Sequence, residues 1–592
     1  MKDFLKYTLA TIVGFLIAGF IGVILLIGTF SAMISMTDTP VDVKDKSLLI
    51  MQFKENIVER SDKNPLNELE LPGFSGSRQL GLDDILSAIE KAAGDDRIRG
   101  IYLNPTMINA GMGTVEEIRN ALLEFKKSGK FIYAYGETLT QKAYYLVSVA
   151  DKIVLNPKGM VEFQGISAQH NFFKNALEKL GVEMQVIRHG KFKAAVEPFI
   201  LEGMSPENRL QTKTYISSIW GQMVGGISAS RNLGVDELNS LADSVITFRK
   251  AELLMEKGLV DTLMYKDEVI NDLKEMTSID EKNDLRVVDV RKYGRIPAET
   301  DGKGLAHDKV AVIYANGDID MVGSEGGSNS INSEELSKTI REARRDSAVK
   351  AIVLRINSPG GSAYGSEVIW REVKLAAEVK PVIASMGDVA ASGGYYIAAA
   401  ADTIMANHTT ITGSIGIFAV IPNVNELLND KLGVTQDVVN TNEHADILSL
   451  TRKMTDFEQA MLQQYIDDGY KTFVGRVAEG RGLSYEQVDQ IGEGRVWAAE
   501  NAMENGLIDL YGGVNEAVKL AAEKAGLERY RTVQLPKIKD PFEEWMKELS
   551  GNASAWVLHH ELGENYKVYQ ELKNLTQIRG ILARLPYRID IE

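Results

Sequence analysis

The stretch GDVAASGGYYIAAAAD, residues 387–402, decides how this chain is read, because GETLTQKAYYLVSVAD, residues 136–151, is its counterpart. Both begin with Gly, carry Tyr-Tyr at the same offset and end in Ala-Asp, yet Ser392 stands where the first copy has Gln141. Outward from this pair the likeness continues. DDRIRGIYLN (95–104) resembles DSAVKAIVLRIN (346–357), and GKFIYAYGE (129–137) resembles VKPVIASMGD (379–388). ADKIVLNP (150–157) answers ADTIMANH (401–408), and AELLMEKGLVDTL from 251 matches AENAMENGLIDLY from 499. The offset stays near 250 residues, far too long for a solenoid unit, so the chain carries a duplicated domain.

Within each copy, short apolar runs such as AIVLRI (351–356) and PVIASM (381–386) alternate with helical patterns such as SEELSKTIREARRD (333–346) and GSEVIWREVKLAAE (365–378). That alternation predicts parallel βαβ units and an α/β fold. RKYGRIPAETDGKGLAHDK (291–309) is polar and poor in large apolar residues, as a linker is. The expected organisation is an anchor and stalk over 1–45, repeats over 46–295 and 310–535 joined by a linker at 296–309, and a helical appendage over 536–592.

With 592 residues, 44% of them hydrophobic, the chain is long enough for more than one domain, each with its own core. A net charge of −16 argues against nucleic acid as a partner. The absence of cysteine removes disulfides, thiolate metal sites and cysteine nucleophiles. No metal or nucleotide site is evident, so no cofactor is expected. At the N-terminus, Lys2 and Lys6 precede an uncharged run from Tyr7 to Thr37 whose centre reaches the ~20 residues that span hydrocarbon as a helix. A cleaved signal peptide has an apolar region of only ~7–15 residues, so an uncleaved anchor in membrane lipid over 7–37 is expected. The leading lysines favour a cytoplasmic N-terminus, with the remaining chain on the extracytoplasmic side.

The differences between the copies point to chemistry. The second alone has Ser392 among small residues, and RINSPGGSAYGSE (355–367) places Gly360 and Gly361 after an apolar run where the first has LNPTMINAGMG. Glycines let backbone N–H groups approach a bound group closely, and two such donors suit a developing oxyanion. A serine nucleophile also needs a base. One candidate is His408, opposite Pro157 of the first copy. The other is Lys193 in VIRHGKFKAAVEPF (186–199), which an approximate alignment with VVNTNEHADILSL (438–450) sets opposite Ala445. Burial among the following apolar residues would lower the lysine pKa toward usefulness.

Four motifs in order, FKAAVEPF (192–199), INSPGG (356–361), AASGGYY (390–396) and TGSIGIF (412–418), carry a resemblance. In a duplicated α/β chain behind one anchor, they resemble the long form of the signal peptide peptidase A family, also called protease IV, serine peptidases of the ClpP/crotonase superfamily. The resemblance implies tandem ClpP/crotonase-like domains. It implies Ser392 as nucleophile, Lys193 rather than Lys191 as general base of a Ser/Lys dyad, and Ser414, opposite Phe163, orienting the lysine. It implies an oxyanion hole from the amides of Gly361 (or Gly360) and Gly393. It further implies apolar peptides such as signal-peptide remnants as substrates, a homotetramer, and a place in a bacterial cytoplasmic membrane. The dyad would form across the repeats, within one chain or between subunits. Two other functions fit the residues: a crotonase-type enzyme acting on coenzyme A thioesters, and a catalytically silent membrane scaffold.

Overall fold

The computed structural model describes residues 2–37, 42–61, 79–296, 306–320, 330–537 and 581–584. The first repeat builds a six-stranded sheet in the order Thr262–Leu263, Lys152–Val161, Phe131–Leu139, Ile98–Leu103, Ser47–Met51, Val287–Asp289, every neighbour parallel. The second repeat runs through the same parallel order: Leu510–Tyr511, Thr403–Ala406, Val382–Ala391, Val349–Ser358, Lys309–Asn316, Arg531–Leu535. Its one elaboration is at the end nearest Ser392, where Ile411–Gly413 continues the pairing and Val496–Ala498 adds an antiparallel neighbour. Register is shared as well: Leu139 lies opposite Val161 in the first sheet and Ala390 opposite Thr412 in the second.

Parallel neighbours need crossovers, which explains the strand and helix alternation read from the sequence. The apolar runs are unbroken because the strands are covered on both faces. Val310, Val312, Ala351 and Val353 face one side of the second sheet, and Ala311, Ile313, Ile352, Leu354 and Ile356 face the other. The first of these faces joins a core that also holds Leu49, Ile101, Ile132 and Ile153 of the first sheet. A core confined to each repeat was expected from length. Instead the repeats share one, because each sheet turns an apolar face to the other.

Charge also crosses the boundary between the repeats. Buried Arg355 is clamped by Glu59 (2.8 Å) and Glu117 (2.7 Å) of the first repeat. Asp388 accepts from the Thr114 amide at 2.8 Å and its hydroxyl at 2.9 Å, while Glu116 accepts from His408 and Thr409.

A third sheet joins the halves in the order Ser330–Ile331, Asp318–Ile319, Gly360–Ser362, Ile581–Arg584, Phe418–Asn423, Glu183–Arg188. Its last pairing is antiparallel, running from Arg188 opposite Phe418 to Glu183 opposite Asn423, and carries first-repeat chain into the second repeat. Residues 438–450, aligned above with the lysine segment, form no strand but a run of turns and bends. Most of the linker and of the 536–592 appendage lies outside the described residues. Residues 581–584, expected to be helical, form a strand.

The N-terminal segment is one helix, Lys2–Thr37, of 36 residues and so about 54 Å long. Phe15, Leu16 and Phe20 on it are exposed. Among the described residues no helix is found to be long and apolar enough to cross a membrane.

Candidate active site

Ser392 follows the strand Val382–Ala391 and immediately precedes the helix Gly393–Ala398, in a strand-to-helix turn that has no room for bulk. A methyl group on Gly393 would lie 2.6 Å from Ser366 Oγ, and one on Gly394 2.6 Å from the Ser358 carbonyl oxygen. Ser392 itself holds φ 55° and ψ −115°, a conformation that L residues rarely adopt and that surrounding structure must enforce. Its amide donates to the Gly413 carbonyl at 2.8 Å, which is part of that enforcement.

Lys193 comes from the other repeat. It sits five residues beyond Arg188, the end of the strand paired with Phe418–Asn423, so the antiparallel ladder delivers it to Ser392 within one chain. Its side chain is 1% exposed, and Nζ lies 2.9 Å from Ser392 Oγ, 3.0 Å from Ser414 Oγ and 3.3 Å from the Ser414 carbonyl oxygen. No carboxylate is among these partners, and burial alone brings the amine from its ordinary value down to about 7. A neutral amine has two donors and one lone pair. It can donate both protons to Ser414 and accept from the Ser392 hydroxyl, while the Ser414 hydroxyl donates to the Gly494 carbonyl at 3.2 Å.

The approach of Lys193 depends on two residues that sequence reading did not single out. A methyl group on Gly494, at φ +80°, would lie 2.6 Å from Lys193 Cβ. Gln211 donates to the Phe192 carbonyl at 3.2 Å and accepts from the Val496 amide at 3.0 Å, tying the lysine loop to the second repeat. The Gly494–Lys193 and Gln211–Val496 contacts join segments hundreds of residues apart, so no local motif marks them. Gly360, at φ +100°, faces the same turn, since a methyl group on it would lie 2.6 Å from the Gly393 amide nitrogen. Gly361 follows it in the strand Gly360–Ser362, where a methyl group would lie 2.1 Å from the Ile319 carbonyl oxygen, so of the three glycines expected to form an oxyanion hole Gly360 and Gly393 adjoin each other at the Ser392 turn.

The two other basic candidates lie elsewhere. His408 bonds Glu116 at 2.7 Å and stacks on Tyr511 with ring centroids 4.0 Å apart, so it serves the contact between repeats. Lys191 is exposed and pairs with Glu493 at 3.2 Å.

The first copy shows the same turn closed over. Gln141 Oε1 accepts from the amides of Gln164 (3.0 Å) and Gly165 (3.1 Å), and its amide donates to the Gly165 carbonyl. Phe163, opposite Ser414 in the repeat, packs edge-on against Tyr144. Lys142, in the place of Gly393, donates to the Ala110 carbonyl at 2.9 Å. Side chains thus fill the space that the second copy leaves for chemistry.

Comparison with known proteins identifies the family. The family model "Peptidase family S49" matches residues 124–280 and again 374–528. "Protease 4" of Salmonella typhi is 39% identical over 82% of this chain and 79% of its own length. "Serine protease SPPA, chloroplastic" of Arabidopsis thaliana is 34% identical over 86% of this chain and 74% of its own. "Protease 4" of Haemophilus influenzae is 33% identical over 78% and 76%. Among solved structures, a ClpP1 mutant from Listeria monocytogenes covers 35% of this chain and 94% of its own at 16% identity and a TM-score of 0.24, too slight a likeness to carry an argument. Two S49 matches on a duplicated α/β chain, with relatives aligned over most of its length, make it a serine peptidase of family S49, that of signal peptide peptidase A (protease IV).

Proposed function

We propose that the chain is a membrane-anchored endopeptidase whose Ser/Lys dyad is divided between its repeats, and that it degrades signal-peptide remnants and other extended apolar peptides. The observation that carries this reading is the 2.9 Å approach of a buried Lys193 amine, with no carboxylate among its hydrogen-bond partners, to Ser392 Oγ. Neutral Lys193 takes the Ser392 proton as the hydroxyl oxygen attacks a peptide carbonyl. Amides of Gly361 (or Gly360) and Gly393 hold the tetrahedral oxyanion, and Ser414 keeps the amine aimed. Lys193 then protonates the departing amine, and water, deprotonated by the same lysine, hydrolyses the acyl-enzyme and restores Ser392.

The helix Lys2–Thr37 acts as the anchor, with the repeats on the extracytoplasmic side of a bacterial cytoplasmic membrane and four chains forming the assembly. Membership of a peptidase family favours this reading over a thioester enzyme or a silent scaffold. The test is turnover of a fluorogenic apolar peptide by the full chain in detergent. Ser392→Ala and Lys193→Ala are expected to lower kcat by at least about 10³-fold, while Lys191→Ala and Gln141→Ala stay within a few-fold of wild type. Equal turnover by wild type and Ser392→Ala would remove the nucleophile, and with it the mechanism.

A further inference from the structure

The chain reaches Lys193 through a short turn that carries His189, a side chain to which the mechanism above gives no role. Arg188, opposite Phe418, ends the ladder, and the His189 amide donates to the Ile417 carbonyl at 3.2 Å. From there the imidazole extends to the helix Asp456–Arg481. Its Nδ1 donates to Asp467 Oδ1 at 2.7 Å, and its ring stacks on Tyr470 with centroids 3.9 Å apart and planes 21° from parallel. Gln463, one turn earlier on the helix, donates to the same Asp467 oxygen at 2.9 Å and to the Arg188 carbonyl at 3.4 Å.

Tyr470 also holds the opposite wall of the slot that the lysine occupies. Its hydroxyl donates to Asp489 at 2.7 Å and accepts from the Glu493 amide at 3.1 Å. Glu493 and Gly494 stand at φ 50° and 80°, so this wall is a turn that surrounding structure must hold. Gly190 lies against it, since a methyl group there would come 2.4 Å from the Glu493 carbonyl oxygen, and the Phe192 amide donates to that same oxygen at 3.1 Å. The stacked pair of His189 and Tyr470 thus joins the segment that carries the base to the segment that shapes its slot. Other charges nearby are already paired, Lys191 with Glu493 at 3.2 Å and Lys471 with Asp468 at 2.9 Å. The His189 and Asp467 side chains are 33% and 36% exposed, and an ion pair so open to water adds little to global stability.

We infer that His189, clamped between Asp467 and Tyr470, is a positioning residue that keeps Lys193 buried against Ser392. The inference rests on the peptidase reading above and adds to it a residue outside the dyad. Releasing the clamp loosens the turn and lets water reach the Lys193 amine. Burial is what brings that amine down to about 7, so solvation moves it back up and carries the acid limb of kcat/KM to higher pH. A side chain that served only the fold would change the melting temperature, or lower activity at every pH, and leave that limb in place.

The experiment measures kcat/KM for the fluorogenic apolar peptide from about pH 6 to about pH 10, with the full chain in detergent. Wild type is compared with His189→Ala, Asp467→Ala, the double variant and His189→Asn, whose amide can still donate to Asp467. Each single alanine variant is expected to move the acid limb up by at least about half a pH unit, roughly a threefold loss at pH 6, and to approach wild type at the alkaline end. The double variant should move it no further than the larger single shift, because the two side chains act as one clamp. His189→Asn should recover part of the shift. A limb that stays in place in both alanine variants, whether or not activity falls, overturns the inference. If wild type itself turns over no peptide, the peptidase reading fails, and the Lys193 amine is titrated instead by competitive acetylation read by mass spectrometry. A higher midpoint in His189→Ala than in wild type then upholds the clamp, and an equal midpoint overturns it.

Discussion

At the scale of single residues, the argument turns on the protonation of Lys193. Its folded pKa is depressed to about 7, so the neutral base appears only as pH rises through that value. kcat/KM is expected to climb through about pH 7 and level off above it, and a pH profile checks this. Depression also has a stability cost with a definite sign. Between the folded pKa and the ordinary lysine value, the unfolded chain holds more protons than the folded one, so stability rises with pH across that window. Below pH 7 the penalty is roughly 4–5 kcal/mol, and by pH 9 it falls to roughly 2 kcal/mol. Lys193→Met should therefore raise the melting temperature, and more at pH 6 than at pH 9, while abolishing turnover. Gly494→Ala makes a complementary prediction. Its methyl group meets Lys193 Cβ and its φ of +80° is strained, so activity is expected to fall by at least about 10²-fold with secondary structure retained. Ser392 was legible in the sequence because the two copies differ there, while Lys193 as the base and Ser414 were read through the motifs FKAAVEPF and TGSIGIF and the family they resemble. Gly494 and Gln211 were not, since each matters only through a contact that folding creates.

Among elements, the strand Glu183–Arg188 carries the most consequence, because its pairing with Phe418–Asn423 is what brings Lys193 to Ser392. Ile187→Pro, opposite Ala419, removes a ladder donor and is expected to abolish turnover by misplacing Lys193. Circular dichroism should stay near wild type, since the two parallel sheets do not use this strand. The parallel character of those sheets could be foreseen from apolar runs alternating with helical patterns, and the duplication made the reading consistent in both halves. Two elements escaped it. VVNTNEHADILSL was set against the lysine segment on a loose match of apolar positions, but its residues make turns. ILAR, at 581–584, continues a helical pattern in the sequence, and only the open edges of Gly360–Ser362 and Phe418–Asn423 make it a strand.

For the whole molecule, the junction between repeats is both apolar and charged. Arg355→Ala would strand Glu59 and Glu117 as unpaired buried carboxylates, at an expected cost of about 3–5 kcal/mol. Urea unfolding at pH 7 measures this. Replacing all three, with Arg355→Met, Glu59→Leu and Glu117→Leu, should recover most of the loss, because an apolar cluster of similar volume carries no desolvation penalty. Composition foretold a long chain with ample core, but not that the cores would fuse, since sequence shows which faces are apolar and not which faces meet.

Lys193 precedes Ser392 by 199 residues, and Gly494, which makes room for it, comes later still. On the proposed mechanism, a half-made chain therefore contains a base with nothing to activate. Hydrolytic competence, on that mechanism, arrives only when nearly the entire polypeptide has been synthesised and the two halves have docked. Cut in the stretch 297–305 and purified apart, the halves should each be inert, and mixing them should restore activity at a rate set by their association.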